Sequence, residues 1–333
     1  MIVLTGQHPD LDLSDHGLGD LPRLALGCPG LAQPDAHVAR VRRALRPQLA
    51  SPPALLVVQG DTSSALGAAQ AAFDLAVPVA HVEAGLRTGD PAAPSPEEIY
   101  RTAIDQRADL LFAPTETAAA NLAAEDVPGA AFVTGNSGID ATLSALAGLP
   151  PPSIRETARP LLLVTCHRRE SWGEGLSGIA AAVRSLAALS LADIRFVLHP
   201  NAHVATAMRQ ALDGCSGIEL AAPCGHAEML AMMREAALIL SDSGGMQEEA
   251  PALGVPILVL RDITERPEGV GTGNARLVGT DPDRIVGEVV RLLTDPRALA
   301  AMSNRSLPYG DGSAAPRIAT AVNSWLEARR LRA

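Results

Sequence analysis

Residues 57–73, VVQGDTSSALGAAQAAF, form a pattern typical of a β-strand, a tight turn and an α-helix in succession. The apolar run ends at a turn formed by Gly60, and the Ala-rich segment after it favours a helix. This order places Asp61 at the end of the strand and three hydroxyl-bearing residues, 62–64, at the start of the helix. Strands that alternate with helices in this way build parallel α/β sheets.

The rest of the chain repeats the alternation, which predicts two parallel α/β halves. Residues 148–153, GLPPPS, contain three prolines that fit neither a helix nor a central strand, so we interpret them as the interdomain linker. Residues 11–35, rich in Gly, Pro and Asp, are predicted to be a loop, and an amphipathic helix is predicted from Ala314. Strands are predicted at 54–58, 77–82, 110–113, 130–135, 160–166, 194–199, 218–222, 237–241, 255–260 and 275–279.

Composition limits the class of protein and of partner. The chain has 333 residues, of which 47% are hydrophobic and 19% charged, as expected for a globular protein of two domains. A net charge of −10 argues against a nucleic-acid partner, which requires basic clusters on one face. We find no signal-peptide pattern and no apolar stretch of about 18 residues, so we expect a cytoplasmic protein without a membrane partner.

All 27 basic residues are arginine, which excludes Schiff-base catalysis, pyridoxal phosphate anchoring and a lysine-bearing phosphate loop within this chain. The four cysteines are far apart and form no C-x-x-C pair, so neither a zinc ribbon nor a disulfide framework is indicated. His199 and His203 have a spacing found in metal sites, but Pro200 and Asn201 predict a loop there. No metal site is therefore expected.

Three carboxylates are predicted at one edge of the first sheet. Asp61 follows the strand at 54–58, Glu83 lies in HVEAGLRTG (81–89) after the next strand, and Glu97 lies in PAAPSPEEIYR (91–101). Alone, Asp61 could simply cap a helix, and Glu97 could be the acidic first turn of one. Crowded together, such groups acquire different pKa values, so that one can act as an acid and another as a base.

The second half supplies candidate anion-binding groups. HRRE (167–170) ends a strand with side chains suited to a phosphate or an anionic leaving group. In SDSGGMQEEAPALG (241–254), Ser243 and two glycines start a helix whose amides could bind phosphate, although simple capping is the alternative. Glu249 could accept hydrogen bonds from a ribose diol, and Arg266 lies in a neighbouring loop. These loops favour a nucleotide diphosphate, in a cleft between the two sheets.

These motifs resemble those of the non-hydrolysing UDP-N-acetylglucosamine 2-epimerases. The HVEAGLRTG stretch favours this branch, since hydrolysing relatives usually have a different motif there. The shared segments span nearly the whole chain in the family's order: TGQH, QGDT, HVEAGLRTG, PEE, LLFAPTE, TGN, HRRE, DSGGMQEEAPALGVP, RDITERPE, LVGTD and LPYGDG.

The resemblance implies an α/β fold of two Rossmann-like domains in a glycosyltransferase-B-like arrangement, residues 1–148 and 154–310, with residues 311–333 as a C-terminal helix returning to the first domain. It implies the interconversion of UDP-GlcNAc and UDP-ManNAc: the C2 proton is removed, UDP is expelled to leave a 2-acetamidoglucal, and UDP is added back. It also implies a homodimer and a role in cell-surface polysaccharide biosynthesis. Such chemistry requires bases and anion stabilisers, and hence no cofactor.

The family's functional residues can be carried over motif by motif. The catalytic carboxylates would be Asp61, Glu83 and Glu97, and His167 would stabilise the departing pyrophosphate. The substrate-binding residues would be Arg101, Arg168, Ser243, Gly244, Gly245, Glu249 and Arg266.

The chain departs from the family pattern at its N-terminus. Family members begin with a strand and a Gly-Thr-Arg-Pro-Glu loop, whereas residues 1–4 of this chain match the family's second strand. We therefore expect the first strand of the N-terminal domain to be missing, through either a misassigned start or an impaired paralogue. Ser95 and Tyr100 replace the family's usual tryptophan and asparagine.

Two alternative functions remain open. A glycosyltransferase of the same fold would share the nucleotide-binding loop, but it has no obvious need for three carboxylates. A UDP-sugar-binding or regulatory protein without turnover would be consistent with the missing N-terminal loop.

Overall fold

The chain forms two α/β units in which every described strand pairing is parallel. Residue contacts assign 1–134 and 316–333 to the first unit and 135–315 to the second. This division places residues 137–148 in the second unit, and the domain bounds expected from the sequence remain predictions. The computed structural model describes residues 1–8, 13, 18–151, 159–166 and 173–331.

Strands and helices are numbered in chain order. The strands are β1 (Ile2–Leu4), β2 (Arg23–Ala25), β3 (Leu56–Gln59), β4 (Val79–Val82), β5 (Leu110–Ala113), β6 (Ala130–Val133), β7 (Leu161–Thr165), β8 (Asp193–Val197), β9 (Ile218–Ala221), β10 (Leu238–Ser241), β11 (Ile257–Val259) and β12 (Ala275–Leu277). The helices are α1 (Pro34–Leu45), α2 (Ser63–Phe73), α3 (Glu97–Asp105), α4 (Glu116–Ala124), α5 (Ser137–Gly148), α6 (Glu174–Leu189), α7 (Ala202–Leu212), α8 (His226–Glu235), α9 (Gly244–Leu253), α10 (Pro267–Gly271), α11 (Pro282–Thr294), α12 (Pro296–Met302) and α13 (Ala314–Arg330).

The first unit contains a four-stranded sheet, β3-β4-β5-β6, and a separate two-stranded sheet, β1-β2. Every residue of β4 and β5 is buried, because helices cover both faces of these strands. On one face lies a core of aliphatic residues from α1 to α4. On the other, Ile318, Val322 and Trp325 of α13 pack against β4 and β5, so the apolar stripe predicted for the tail is the partly buried side of this helix.

Residues 23–25 form strand β2, whereas the sequence predicted a loop throughout 11–35. β2 pairs in parallel with β1, with Ile2 opposite Arg23 and Leu4 opposite Ala25. The strand has three residues and only its middle one, Leu24, is partly buried. Such a short element shows no alternation of apolar and polar residues, so its sequence carries no strand signal.

β1 and β3 are edge strands in the described part of the chain. β1 bonds to β2 through the backbone of Ile2 and Leu4, and β3 bonds to β4 from Leu56. Backbone groups alternate between the two sides of a parallel strand, so those of Val3 and Val57 point away from these partners. In the described residues, these sides of β1 and β3 are therefore open sheet edges.

The second unit has one six-stranded sheet in the order β12-β11-β10-β7-β8-β9. Counted within the unit, this is the Rossmann order, which reverses between β7 and β10. All ten predicted strands occur in the two units, with ends shifted by at most two residues. The predicted fold class, α/β with parallel Rossmann-like sheets, is therefore confirmed. Within the described ranges, no helix combines the length and apolar character needed to cross a bilayer.

Gly85 provides a test of this packing. Its φ is +82°, and a Cβ atom there would lie 2.2 Å from the carbonyl oxygen of Ala118. We expect Gly85→Ala to reduce the free energy of unfolding by about 3 kcal/mol or more, because left-handed strain adds to a backbone clash. Gly27, with φ +62° and no atom within 4 Å of that Cβ position, is the matched control. Urea denaturation should show a loss of only about 1–2 kcal/mol for Gly27→Ala, and equal losses would contradict the prediction.

Candidate functional site

Two predicted catalytic carboxylates follow neighbouring strands of the first unit. Asp61 follows β3 through Gly60, and Glu83 comes directly after β4. Gln59 pairs with Val82, so both acids leave the sheet at its carboxyl edge. A Cβ atom at Gly60 would lie 3.5 Å from Glu83 Oε2, which places the Glu83 carboxylate beside the turn that carries Asp61. The structure thus brings these two acids together.

Glu83 has φ +70°, in the left-handed region that non-glycine residues rarely adopt. Its amide and that of Ala84 both donate to the carbonyl of Phe112, each at 3.1 Å, which holds this turn against β5. Strained backbone of this kind persists only where the surrounding structure imposes it, and it is concentrated at functional sites.

Arg101 of α3 binds Asp61. Its Nε donates to Asp61 Oδ2 at 3.1 Å, its Nη2 donates to the same oxygen, and its Nη1 donates to Glu98 Oε2 at 3.2 Å. Arg101 is only 2% exposed, so the two acids balance a buried cation. Among the described residues no hydrogen bond reaches Asp61 Oδ1, which can still accept one. Whether Arg101 also binds substrate, as the sequence suggests, stays a prediction.

The two glutamates at the start of α3 have different surroundings. Glu98 is buried, and its Oε1 accepts from the amides of Thr88 at 2.9 Å and Gly89 at 3.1 Å. This carboxylate therefore fastens the end of the HVEAGLRTG stretch to α3. Glu97, the predicted catalytic residue, is the first residue of α3 and is partly exposed. Its acid–base role is not tested by this geometry.

A cavity of about 310 Å³ opens in the second unit at the carboxyl ends of its strands. Thr165, the last residue of β7, lines it and pairs with Ser241 of β10, so the cavity lies where the strand order reverses. Open α/β sheets bind ligands at this point. The lining is largely apolar, with a few polar groups, and includes Cys166, His199, Cys224, His226, Met229 and Met246.

The start of α9 lies beside this cavity. Ser243 is the N-cap residue, and its hydroxyl accepts from the amide of Met246 at 3.5 Å. Gly244 and Gly245 are the first two helical residues, so their amides have no acceptor inside the helix. Ser243 and Gly245 line the cavity, and such amides together with the helix dipole favour an anion. The predicted phosphate-binding residues are thus adjacent to the cavity.

Glu249 lines the same cavity. Its Oε1 accepts from Nε2 of His226 at 2.7 Å and from the hydroxyl of Thr142 at 3.3 Å. No described residue bonds to the second oxygen of Glu249, Oε2, which can accept a hydrogen bond from a ligand hydroxyl. The hydrogen bond to Glu249 raises the pKa of His226 and outweighs the partial burial that lowers it. His226 and Thr142 were not among the predicted site residues, because only the fold brings them to Glu249.

Arg266, predicted to contact the nucleotide, is held by two buried acids. Its Nε donates to Glu248 Oε1 at 2.5 Å, and its Nη1 donates to Glu265. Glu248 also accepts from Asn136 at 2.6 Å, and the hydroxyl of Tyr309 donates to the carbonyl of Arg266 at 2.9 Å. These bonds fix the loop around Arg266, and its contact with a nucleotide remains a prediction.

Two predicted site residues, His167 and Arg168, lie outside the described residues. The preceding Cys166 is buried, which together with the charge of Asp242 raises the pKa of its thiol. Cys166 is therefore a neutral cavity-lining group, not a nucleophile. Within the described ranges, no three His, Cys, Asp or Glu side chains are grouped as metal ligands.

The raised pKa of His226 predicts pH-dependent stability. The protonated ring stabilises the folded state through its hydrogen bond to Glu249, and this stabilisation is fully present below the usual histidine pKa of 6.5. This contribution is lost as the pH rises through the raised value. We expect the original protein to melt at a higher temperature than His226→Gln, with the largest difference at about pH 5.5 and the smallest at about pH 8.5. The difference should be small throughout, because the ring is half exposed. A difference that is independent of pH would contradict this assignment.

Comparison with known proteins agrees with these features. The sequence model of the UDP-N-acetylglucosamine 2-epimerase family matches residues 1–323. The UDP-N-acetylglucosamine 2-epimerase of Salmonella typhimurium is 42% identical over 301 residues, which cover 86% of this chain and 80% of that protein. The enzyme of Escherichia coli K12 is 43% identical over 302 residues, with the same coverage.

A solved structure shows the same similarity in three dimensions. The crystal structure of the UDP-GlcNAc 2-epimerase from Neisseria meningitidis, bound to UDP-GlcNAc, matches with a TM-score of 0.89 and 33% identity. The match covers 96% of this chain and 90% of that one. By sequence and by structure, the chain belongs to the UDP-N-acetylglucosamine 2-epimerase family, and it is an isomerase.

Proposed function

We propose that this isomerase interconverts UDP-GlcNAc and UDP-ManNAc without net hydrolysis. The observation that carries the proposal is the position of Asp61 and Glu83 on adjacent turns, at the carboxyl ends of β3 and β4. Epimerisation at C2 removes a proton from one face of the carbon and returns one to the other. It therefore needs more than one positioned acid–base group.

The proposed reaction proceeds by elimination and addition. A carboxylate takes the C2 proton while the C1–O bond breaks, and UDP leaves with the bonding electrons. The product is a 2-acetamidoglucal with a C1=C2 double bond. UDP then adds back at C1 while a second carboxyl group protonates C2 on the opposite face. We assign this proton chemistry to Asp61, Glu83 and Glu97, and stabilisation of the departing pyrophosphate to His167.

The cavity of the second unit is proposed to hold the uridine diphosphate. The amides of Gly244 and Gly245, with the Ser243 hydroxyl, would receive the diphosphate, and Glu249 Oε2 would accept from the ribose diol. The apolar lining suits a pyrimidine base. Support comes from the position of the cavity at the reversal of strand order, the usual ligand site of a Rossmann sheet. Arg101, Arg168 and Arg266 are further proposed contacts.

The reaction moves protons and breaks a C–O bond, so we expect it to need no cofactor. A homodimer in the cytoplasm that serves cell-surface polysaccharide synthesis would fit this activity. The alternative with most support is a UDP-sugar-binding protein without turnover, since Arg101 already occupies one oxygen of Asp61.

Proton exchange at C2 tests the proposal directly. Purified protein is incubated with UDP-GlcNAc in deuterium oxide, and the sugar is followed by NMR. We expect deuterium at C2 together with UDP-ManNAc as the minor epimer. Binding of UDP-GlcNAc without deuterium at C2 would favour the regulatory alternative, and free ManNAc as the main product would indicate a hydrolysing enzyme.

The two halves of the proposed site predict separable losses. Ser243→Ala and Glu249→Ala should weaken UDP binding by about tenfold, since each removes a hydrogen bond to a charged or buried group. Asp61→Asn and Glu97→Gln should leave UDP affinity unchanged and abolish turnover, because they act on proton transfer. Titration calorimetry and the exchange assay distinguish these effects.

Matched controls separate these losses from misfolding. Asp281 caps α11 by accepting from the amide of Arg284 at 2.8 Å, so Asp281→Ala removes a helix cap of the second unit away from the cavity. Glu116 is the exposed first residue of α4, as Glu97 is the first residue of α3. Asp281→Ala should keep UDP affinity, and Glu116→Gln should keep turnover. Loss of UDP affinity in both Asp61→Asn and Glu97→Gln would show that the roles are assigned to the wrong units.

A further inference from the structure

His81 is a buried histidine of β4 whose two ring nitrogens both face hydrogen-bond acceptors. Its side chain is 0% exposed. Nε2 lies 2.9 Å from the carbonyl oxygen of Gly60, and Nδ1 lies 2.6 Å from Asp105 Oδ1. A carbonyl oxygen can only accept a hydrogen bond, and the same holds for an ionised carboxylate. With these partners, both ring nitrogens donate. The ring is therefore held at both nitrogens and fully enclosed by protein.

Asp105, at the end of α3, supplies the compensating charge. Burial alone would raise its pKa, but the hydrogen bond and charge of His81 and the charge of Arg87 outweigh burial and hold the pKa below its usual value. Its Oδ2 accepts from the amide of Gly85 at 3.1 Å and pairs with Arg87 at 2.8 Å. Arg87 is also paired with Glu125, at 2.7 Å. The cluster thus joins His81 and Arg87 to two carboxylates, those of Asp105 and Glu125.

The cluster is attached to both turns that carry the paired carboxylates. Gly60, held by His81, directly precedes Asp61, and Gly85, held by Asp105, is two residues after Glu83. Gly60, Glu83 and Gly85 all have positive φ, from +63° to +82°. The two glycines adopt this region freely, but for Glu83 it costs free energy, so its turn relaxes unless it is held in place. The His81–Asp105 pair is one such constraint, because it bridges the two turns through charge-assisted hydrogen bonds.

We propose that His81, as an imidazolium bound to Asp105, is a positioning residue that sets the distance and orientation between Asp61 and Glu83 for proton transfer at C2. The inference rests on the proposed function. The positioning role of His81 differs from a purely structural role, because a small misplacement of the two carboxylates slows proton transfer even when the chain remains folded. The proposed UDP-binding cavity is lined by residues of the second unit, whereas the cluster belongs to the first unit.

Two substitutions test the proposal in the full chain. Asp105→Asn keeps the shape of the side chain but removes the charge that stabilises the imidazolium, and His81→Gln keeps one donor. We expect either variant to slow C2 deuterium exchange at saturating UDP-GlcNAc by roughly tenfold or more, with the dissociation constant for UDP within about twofold of the original. A reduced maximal rate with unchanged UDP affinity is the signature of positioning.

Nitrogen NMR provides a readout that is independent of activity. Histidine ring signals assigned by their loss in His81→Gln should show that both His81 ring nitrogens donate hydrogen bonds in the folded protein. In Asp105→Asn the same ring should have one protonated nitrogen. A His81 ring with one unprotonated nitrogen in the original protein would overturn the proposal.

Asp109→Asn is the matched control. Asp109 Oδ2 accepts from the amide of Val79 at 2.9 Å, so it also bonds to β4, but at the opposite end of the strand. Asp109→Asn should lower the melting temperature without slowing exchange at saturating substrate. If Asp105→Asn and Asp109→Asn lower the melting temperature alike and neither slows exchange, His81 is only structural. If the original protein shows no exchange, the proposed function fails, whereas the NMR result still tests the imidazolium.

Discussion

Parallel pairing places the carboxyl ends of neighbouring strands at one edge of each sheet, and both candidate sites depend on this constraint. In the first unit it brings together the turns after β3 and β4, which carry Asp61 and Glu83. In the second unit it places the end of β7 beside the start of α9, where Ser243 and two glycine amides meet the cavity. Short strands with buried apolar residues are enough to impose this arrangement, and the chemistry lies in the turns that follow them.

The arginines of the described residues show how an acidic chain can accommodate an anionic ligand. Arg87, Arg101 and Arg266, each close to a candidate site, are all bound by carboxylates, and each pair is at least half buried. A buried ion pair neutralises both partners and holds them in a fixed geometry. The proposed diphosphate site of the second unit would therefore rely mainly on backbone amides and the dipole of α9, which need no net positive charge.

The two units use ion pairs in similar ways around their candidate acids. One oxygen of Asp61 is occupied by Arg101, and one oxygen of Glu249 is occupied by His226 and Thr142. In both cases the second oxygen has no hydrogen bond from a described residue. A carboxylate anchored through one oxygen presents the other in a defined direction, which suits a group that must accept a proton or a ligand hydroxyl.

The sequence by itself determined the strand–helix alternation, the fold class and the adjacency of the turns that carry Asp61 and Glu83. Apolar periodicity is a local property, and consecutive strands of an α/β chain usually lie side by side. Strand β2 was not predicted, because three residues are too few to show a period of apolar side chains. The partners of the acids were decided only by tertiary structure: His81 meets Asp105 across 24 residues, and Thr142 meets Glu249 across 107. No spacing rule links such residues, since they are brought together by the packing of helices on sheets.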